Sequence, residues 1–268
     1  ASAGQDGRAR LWDADSGRSL AELPGDAAWV EHLAWSPDGR RLASSAGKQL
    51  RLWSPDGKPL HRCEPEPSTI SAMAWAGNDE VVSTGYGRVT FRYAADGRVT
   101  ETLSWQGSLI SLALSTDGAI VACGSQDRTV HFWRRASGED SMMSGYPVKP
   151  AALAFDATGT LLATGGAEYV TVWSFAGDGP EGTEPGLLDC HARPITALAF
   201  APGRRRLASA AKDGSLLIWD LDGDGNGILV GAALADDAIE AVAWHPDGGA
   251  VAAIDATGGV GVWDCKDS

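Results

Sequence analysis

Residues 206–221, RLASAAKDGSLLIWDL, alternate between apolar runs and a polar break in a way that predicts a β-hairpin. Leu207 to Ala211 is a small, apolar, buried-type strand, Lys212-Asp213-Gly214 is a tight-turn signal, and Leu216 to Trp219 is a second β-rich run. The same pattern returns along the chain, closing at Trp12, Trp53, Tyr93, Trp133, Trp173, Trp219 and Trp263, with spacings of 41, 40, 40, 40, 46 and 44 residues. Between the copies runs a regular cycle of outer strand, loop, inner strand, turn and two further strands. The inner strands are predicted at 31–36, 70–76, 109–115, 150–156, 195–201 and 239–245, and they are rich in Ala and Leu, as strands crowded around a narrow axis need to be. The turns after them, SPDG, STDG, DATG, APGR and HPDG, supply Pro early and Gly where a positive φ is wanted. Two longer connections, 176–186 (AGDGPEGTEPG) and 222–227 (DGDGNG), account for the wider spacings and are predicted between a third and an outer strand.

Seven self-similar copies of about 40 residues, each built of short strands and several ending in Trp-Asp (Trp12-Asp13, Trp219-Asp220, Trp263-Asp264), resemble the WD-repeat family of β-propellers. The resemblance covers nearly the whole chain. It implies an all-β fold, a seven-bladed β-propeller of four-stranded antiparallel blades, with residues 1–268 as one domain. The first hairpin has no inner strand ahead of it and the last blade no outer strand after Trp263, so the first and last blades are expected to be incomplete. An upstream segment or a partner strand is expected to fill that gap in an otherwise monomeric ring.

The family also implies a buried relay from a loop His through a strand Ser or Thr and a turn Asp to the closing Trp. His191, Ser209, Asp213 and Trp219 supply all four; Ser2, Asp6 and Trp12 supply three in the first repeat, and Asp127 and Trp133 remain in the fourth, with Cys123 at the Ser position. Elsewhere the relay is expected to have decayed. A Ser, a His and an Asp together also suit a hydrolase, but no oxyanion element or nucleophile elbow accompanies them, and a rigidifying role is the expectation.

Function is expected where a fixed scaffold presents variable side chains. On the top face these are Trp29, Glu31, Tyr86, Trp105, Gln126, Lys212 and Glu240, with Gln5, Lys48 and Glu168 completing the ring of hairpin turns. Trp105 falls in the slot that His191 fills, where it caps a blade as readily as it meets a partner, while Trp35, Trp75 and Trp244 are expected in packing between blades. The implied role is a non-catalytic scaffold for a protein or peptide, with no cofactor. The alternative is a propeller enzyme or a small-ligand or metal binder at the channel mouth, using Glu31, His32 and Glu240.

Charge narrows the partners. A formal net charge of −13 argues against duplex nucleic acid. No apolar run approaches the length of a membrane helix and no signal peptide is visible, so no membrane association and a cytoplasmic location are expected. Cys63, Cys123, Cys190 and Cys265 stand isolated, without a disulfide or zinc pattern. Asp220-x-Asp222-x-Asp224-Gly225 resembles half of a calcium loop, but the closing Glu position is Gly231, and a turn capped by its own carboxylates is the expectation. Arg exceeds Lys by 17 to 5, a bias expected of a GC-rich bacterial genome.

Overall fold

A computed structural model describes every residue except 14–15, 26–28, 178, 190 and 266–268. No helix occurs among the described residues; the chain forms seven antiparallel sheets in sequence order. The first joins β1 (Ser2–Ala3), β2 (Arg8–Trp12) and β3 (Ser19–Pro24), and the second β4 (Val30–Trp35), β5 (Leu42–Ala46), β6 (Gln49–Trp53) and β7 (Pro59–Arg62). The third joins β8 (Ala72–Ala76), β9 (Glu80–Tyr93) and β10 (Val99–Ser108). The fourth joins β11 (Ala113–Leu114), β12 (Ile120–Gly124), β13 (Val130–Arg134) and β14 (Glu139–Met143), and the fifth β15 (Ala152–Phe155), β16 (Leu161–Gly165), β17 (Tyr169–Ser174) and β18 (Gly186–Asp189). The sixth joins β19 (Ile195–Phe200), β20 (Arg206–Ala211), β21 (Ser215–Leu221) and β22 (Gly227–Leu234), and the seventh β23 (Ile239–Trp244), β24 (Ala250–Asp255) and β25 (Val260–Asp264). Sheets one to three lie in a compact unit, Ala1–Leu112, and sheets four to seven in a second, Ala113–Ser268.

Strand alternation gives each sheet two apolar faces, and the cores lie between successive sheets of a unit. In the first unit Leu11 and Leu23 pack against Val30, Leu42 and Trp53, while Leu50 and Leu52 pack against Ile70 and Val81. In the second, Leu161, Val170 and Leu188 meet Ile195, Leu207 and Trp219, and the opposite face of the sixth sheet, Leu216 and Ile218, meets Ile239 and Val251. Each Leu or Ile buried this way contributes on the order of 1.5–3 kcal/mol.

Polar staples repeat the same geometry at the inner strands. The indole N–H of Trp75 donates to the Ala34 carbonyl at 2.9 Å, and that of Trp244 to Ala199 at 2.9 Å, each one residue before the corresponding aromatic of the preceding sheet. Ser71 donates to the Leu109 carbonyl at 2.6 Å and Thr196 to that of Ile239 at 2.5 Å. Trp75 and Trp244 are thus packing groups between sheets. Trp35, at the same register, is exposed.

The third sheet differs from its sequence reading. β9 is a single run of 14 residues, yet the hydroxyls of Ser83 and Thr90 both reach the Glu66 carboxylate at 3.1 Å. Seven residues of straight strand span about 23 Å, so β9 folds back on itself at Gly85-Tyr86-Gly87 and serves as second and third strand together. Tyr93 is not its closing aromatic. The Tyr93 N–H donates to the Arg98 carbonyl, as Ser54 does to Lys58 and Asp13 to Arg18, so Tyr93 stands one residue past the closing position and Arg92 occupies it. The aromatic ring of Tyr93 and its 40-residue spacing from Trp53 and Trp133 favour it in the sequence, and the hydrogen-bond register moves the closing position to Arg92.

Candidate functional site

The top end of each sheet is built from the hairpin turn after the second strand and the loop that leads into an inner strand. Backbone bonds join the two. In the first unit Val30, Ile70 and Leu109 donate their N–H groups to the carbonyls of Gly4, Gly47 and Gly85, and in the second Ile195 donates to Ala167. The loop residues are thereby pinned beside the preceding hairpin, and the side chains next to these bonds are presented outward.

Trp29 is 56% exposed and Tyr86 67% exposed, so neither caps a core. Glu31, Gln126, Lys212 and Glu240 are exposed as well, as are Gln5, Lys48 and Glu168. Trp105 departs from its loop assignment: β10 continues through it to Ser108, where a register shift after Ser104 bends the strand, and Trp105 is half-buried in that strand. Glu31 and Glu240 share a register with Ser71 and Thr196, whose hydroxyls are consumed by the staples described above. Two carboxylates therefore remain outward at positions that elsewhere hold sheets together. His32, beside Glu31, is half-buried, and desolvation lowers its pKa although the neighbouring carboxylate pulls it up.

Beneath this surface the sixth sheet carries the relay. Ser209 Oγ, buried, accepts the Trp219 indole N–H at 2.9 Å and lies 2.7 Å from His191 Nε2. His191 Nδ1 is 2.6 Å from Ser215 Oγ, which donates to Asp213 Oδ1 at 2.5 Å. Asp213 reaches the imidazole only through Ser215, a member the sequence pattern did not single out. Its other oxygen accepts the Ala192 N–H at 2.8 Å and fixes the loop. Burial lowers the His191 pKa, holding the ring neutral; burial pushes Asp213 up, but the bonds from Ser215 and Ala192 and the nearby His191 outweigh it and leave the carboxyl below its ordinary range. A serine hydroxyl with no exposed surface and both partners engaged is placed for rigidity, not for attack on a substrate.

The other sheets keep the position and vary its chemistry. Trp12 donates to Ser2 at 2.8 Å in the first, where Asp6 accepts the Arg8 N–H at 3.1 Å and pairs with Arg10 at 2.5 Å. Trp53 donates to Ser44 at 2.8 Å in the second, so the pair survives there. In the fifth sheet Tyr146 replaces the histidine: its hydroxyl accepts the Trp173 indole N–H at 2.9 Å and bonds Thr164 at 3.1 Å, and burial raises its pKa. In the fourth, Cys123 is buried opposite His131, which stacks edge-on to Trp133 at 4.3 Å and lies 3.2 Å from Asp140. In the third the relay has become an ion pair. Buried Glu66 accepts from Ser83, Thr90 and the Arg92 guanidinium at 3.1 to 3.2 Å, and Arg92 also donates to the carbonyls of Glu64 and Gly97.

The bottom-face connections are tied down too. In the second unit Arg134 holds Glu181 through two bonds of 2.8 and 2.9 Å, and a Cβ on Gly186 would fall on the Gly225 carbonyl, so the 176–186 and 222–227 connections abut. The calcium-like carboxylates do not converge. Asp220 is held bidentately by Arg206 at 2.6 and 2.9 Å, and Asp222 caps its own turn through Asp224 N–H, Asn226 N–H and the Asn226 amide. No metal-ligand cluster occurs among the described residues; Cys190 lies outside them.

Three segments, 17–54, 97–134 and 182–220, match the family model described as WD domain, G-beta repeat. The chain is 28% identical to telomerase protein component 1 of Mus musculus over 83% of its length, and 27% identical to nuclear distribution protein PAC1 of Arthroderma benhamiae over 92%. It is 28% identical to Protein FIZZY-RELATED 1 of Arabidopsis thaliana over 50%. It spans only 9%, 41% and 30% of those relatives, all of them eukaryotic. Among solved structures, a chain of a mitotic checkpoint complex superposes with a TM-score of 0.84 at 21% identity, covering 97% of this chain and 82% of the other. The WD40 repeats of RRP9 give 0.80 at 18% identity, covering 94% and 82%. Three segments of this chain therefore match WD40 repeats, and its fold is that of a seven-bladed β-propeller.

Proposed function

We propose that the protein is a non-catalytic scaffold that binds a protein or peptide partner through its top face. The observation that carries this is the division of polar groups. Ser209, His191, Asp213, Ser71 and Thr196 are all engaged in internal bonds, whereas Trp29, Glu31 and Tyr86 are exposed on backbone fixed by bonds between loop and hairpin. A rigid frame presenting large aromatics beside a carboxylate suits a protein surface better than a small substrate. A chain of a mitotic checkpoint complex shares this fold, which is consistent with the same role. The channel-mouth alternative draws on Glu31, His32 and Glu240, two exposed carboxylates and a half-buried imidazole, which is a thin set for catalysis.

We read residues 1–268 as one domain from the repeat period; a cytoplasmic location rests on the sequence pattern and a bacterial source on the excess of Arg over Lys alone, the relatives being animal, fungal and plant. The test is affinity capture with parent protein and a Trp29→Ala, Glu31→Lys variant. Loss of the captured partner, equivalent to about 2 kcal/mol or more, with an unchanged melting temperature is the expected result. Retained capture by the variant, or turnover of a small metabolite by the parent, would overturn the proposal.

A further inference from the structure

β22 is unlike the other outer strands. SLAELP, PLHR, VTETLSWQGS, EDSMM and GLLD, of β3, β7, β10, β14 and β18, each contain a residue with an ionisable side chain; β22, GILVGAAL, has none in eight residues. Its large side chains are not buried. Ile228 is 69% exposed, Leu229 and Val230 45% each, and Leu234 72%, while β18 touches β22 and adds Leu187 at 59%. Outer edges of soluble sheets are ordinarily guarded by charge, Pro or a bulge pointing away, because an open row of backbone donors and acceptors recruits other strands. This strand has a register shift between its Leu229 and Gly231 pairings and no charge of its own.

The backbone of that edge is available. Within its sheet β22 pairs with β21 on one side and has no strand on the other among the described residues. Ala235 donates its N–H inward to the Gly214 carbonyl at 2.9 Å, so by alternation Ala233 also turns inward, and Ala232 and Leu234 turn their N–H and C=O groups outward. The strand is roughly 26 Å long. Exposed Asp222 and Asp224 precede it and exposed Asp236 and Asp237 follow it, so an uncharged apolar edge is bracketed by two acidic ends.

We propose that β22 is a docking edge for an extended partner segment with an uncharged, apolar centre and Lys or Arg at both ends. The segment adds as a further strand on the sixth sheet, with backbone bonds from Ala232 and Leu234, apolar cover for Ile228, Val230 and Leu234, and its basic ends against the two aspartate pairs. A second copy of this chain does not fit. Antiparallel pairing of two β22 strands sets Asp236 and Asp237 of each beside Asp222 and Asp224 of the other, between molecules that each have a formal charge of −13. The surface is separate from the top face and does not depend on it.

The test uses a fluorescein-labelled peptide, Arg-Arg-Val-Thr-Ile-Thr-Val-Thr-Arg-Arg, and a control with Glu at the four Arg positions, titrated with the whole chain by fluorescence anisotropy. The Arg-ended peptide is expected to bind, to weaken with added salt, and to lose at least about tenfold in affinity in Ala232→Pro, which removes an outward donor without touching the ladder to β21. A charge-reversed variant, Asp224→Lys with Asp236→Lys and Asp237→Lys, is expected to prefer the Glu-ended peptide, which keeps the test decisive where the proline variant fails to fold. Equal affinity for both peptides, indifference to Ala232→Pro in a folded variant, or sedimentation showing a dimer that β22 substitutions dissolve would each overturn the proposal.

Discussion

The sheet that closes at Trp219 and the sheet that closes at Arg92 fill the same position with opposite chemistry. In the sixth sheet a neutral imidazole, a serine hydroxyl and an indole share two hydrogen bonds around Ser209; in the third, a carboxylate and a guanidinium share a site closed off from water. Both tie a loop to two strands, so what the fold requires there is a polar crosslink and not a particular set of residues. The energetic exposure differs. A neutral network that loses a member leaves an unbonded dipole, whereas an ion pair that loses a member leaves a buried charge.

Breaking the ion pair is accordingly the largest expected effect. Glu66→Ala strands the Arg92 guanidinium and should cost about 3–5 kcal/mol in denaturant unfolding. The double variant Glu66→His, Arg92→Trp, which imports the chemistry of the sixth sheet, should recover most of that loss. A double variant as unstable as the single would show that the two positions are not equivalent and that Arg92 does not stand where Trp219 does.

In the sixth sheet, Ser209→Ala leaves both the Trp219 N–H and the His191 ring short of a partner and should cost about 1–3 kcal/mol. Asp213→Ala should cost less, because Asp213 meets the imidazole only through Ser215 and is itself partly exposed. A melting curve in which Asp213→Ala is the more damaging would mean that the carboxylate supports the loop chiefly through the Ala192 N–H.

The smallest effect is in pH. Burial lowers the His191 pKa below its ordinary value near 6.5, so on acidification the unfolded chain takes up a proton before the native one does. The contribution of this histidine to stability is complete above about pH 6.5 and declines as pH falls below it. His191→Gln should flatten that part of the stability profile; the third sheet, which has no histidine in its crosslink, supplies no matching slope.

Much of this was legible in the sequence, for reasons that differ from residue to residue. His191, Ser209, Asp213 and Trp219 could be named because one repeat retains every member at family spacing. Ser215 was hidden, since a serine after a Gly turn has no pattern that separates a bridge from a solvated hydroxyl. Tyr146 and Glu66 were hidden because they substitute for a histidine with which they share only the ability to hydrogen-bond. Arg92 was masked by the aromatic beside it: a one-residue slip along a strand exchanges the two faces, and only the fold-back at Tyr86 settles which side each residue takes. Trp29 and Tyr86 could be placed on a loop and a turn and Glu31 at the start of an inner strand, but their exposure depended on what packed over them.

The sequence by itself determined the number of sheets, their strand order and the alternation that makes each sheet apolar on both faces, because these follow from local periodicity and turn chemistry. Tertiary structure decided which hydroxyl meets which ring, that Asp220 is held by Arg206 and that Asp222 closes its own turn instead of holding a cation, and that β22 is left as an apolar edge between acidic ends. Those outcomes depend on how side chains meet across paired strands, turns and loops once the sheets have packed, which local periodicity and turn chemistry do not encode.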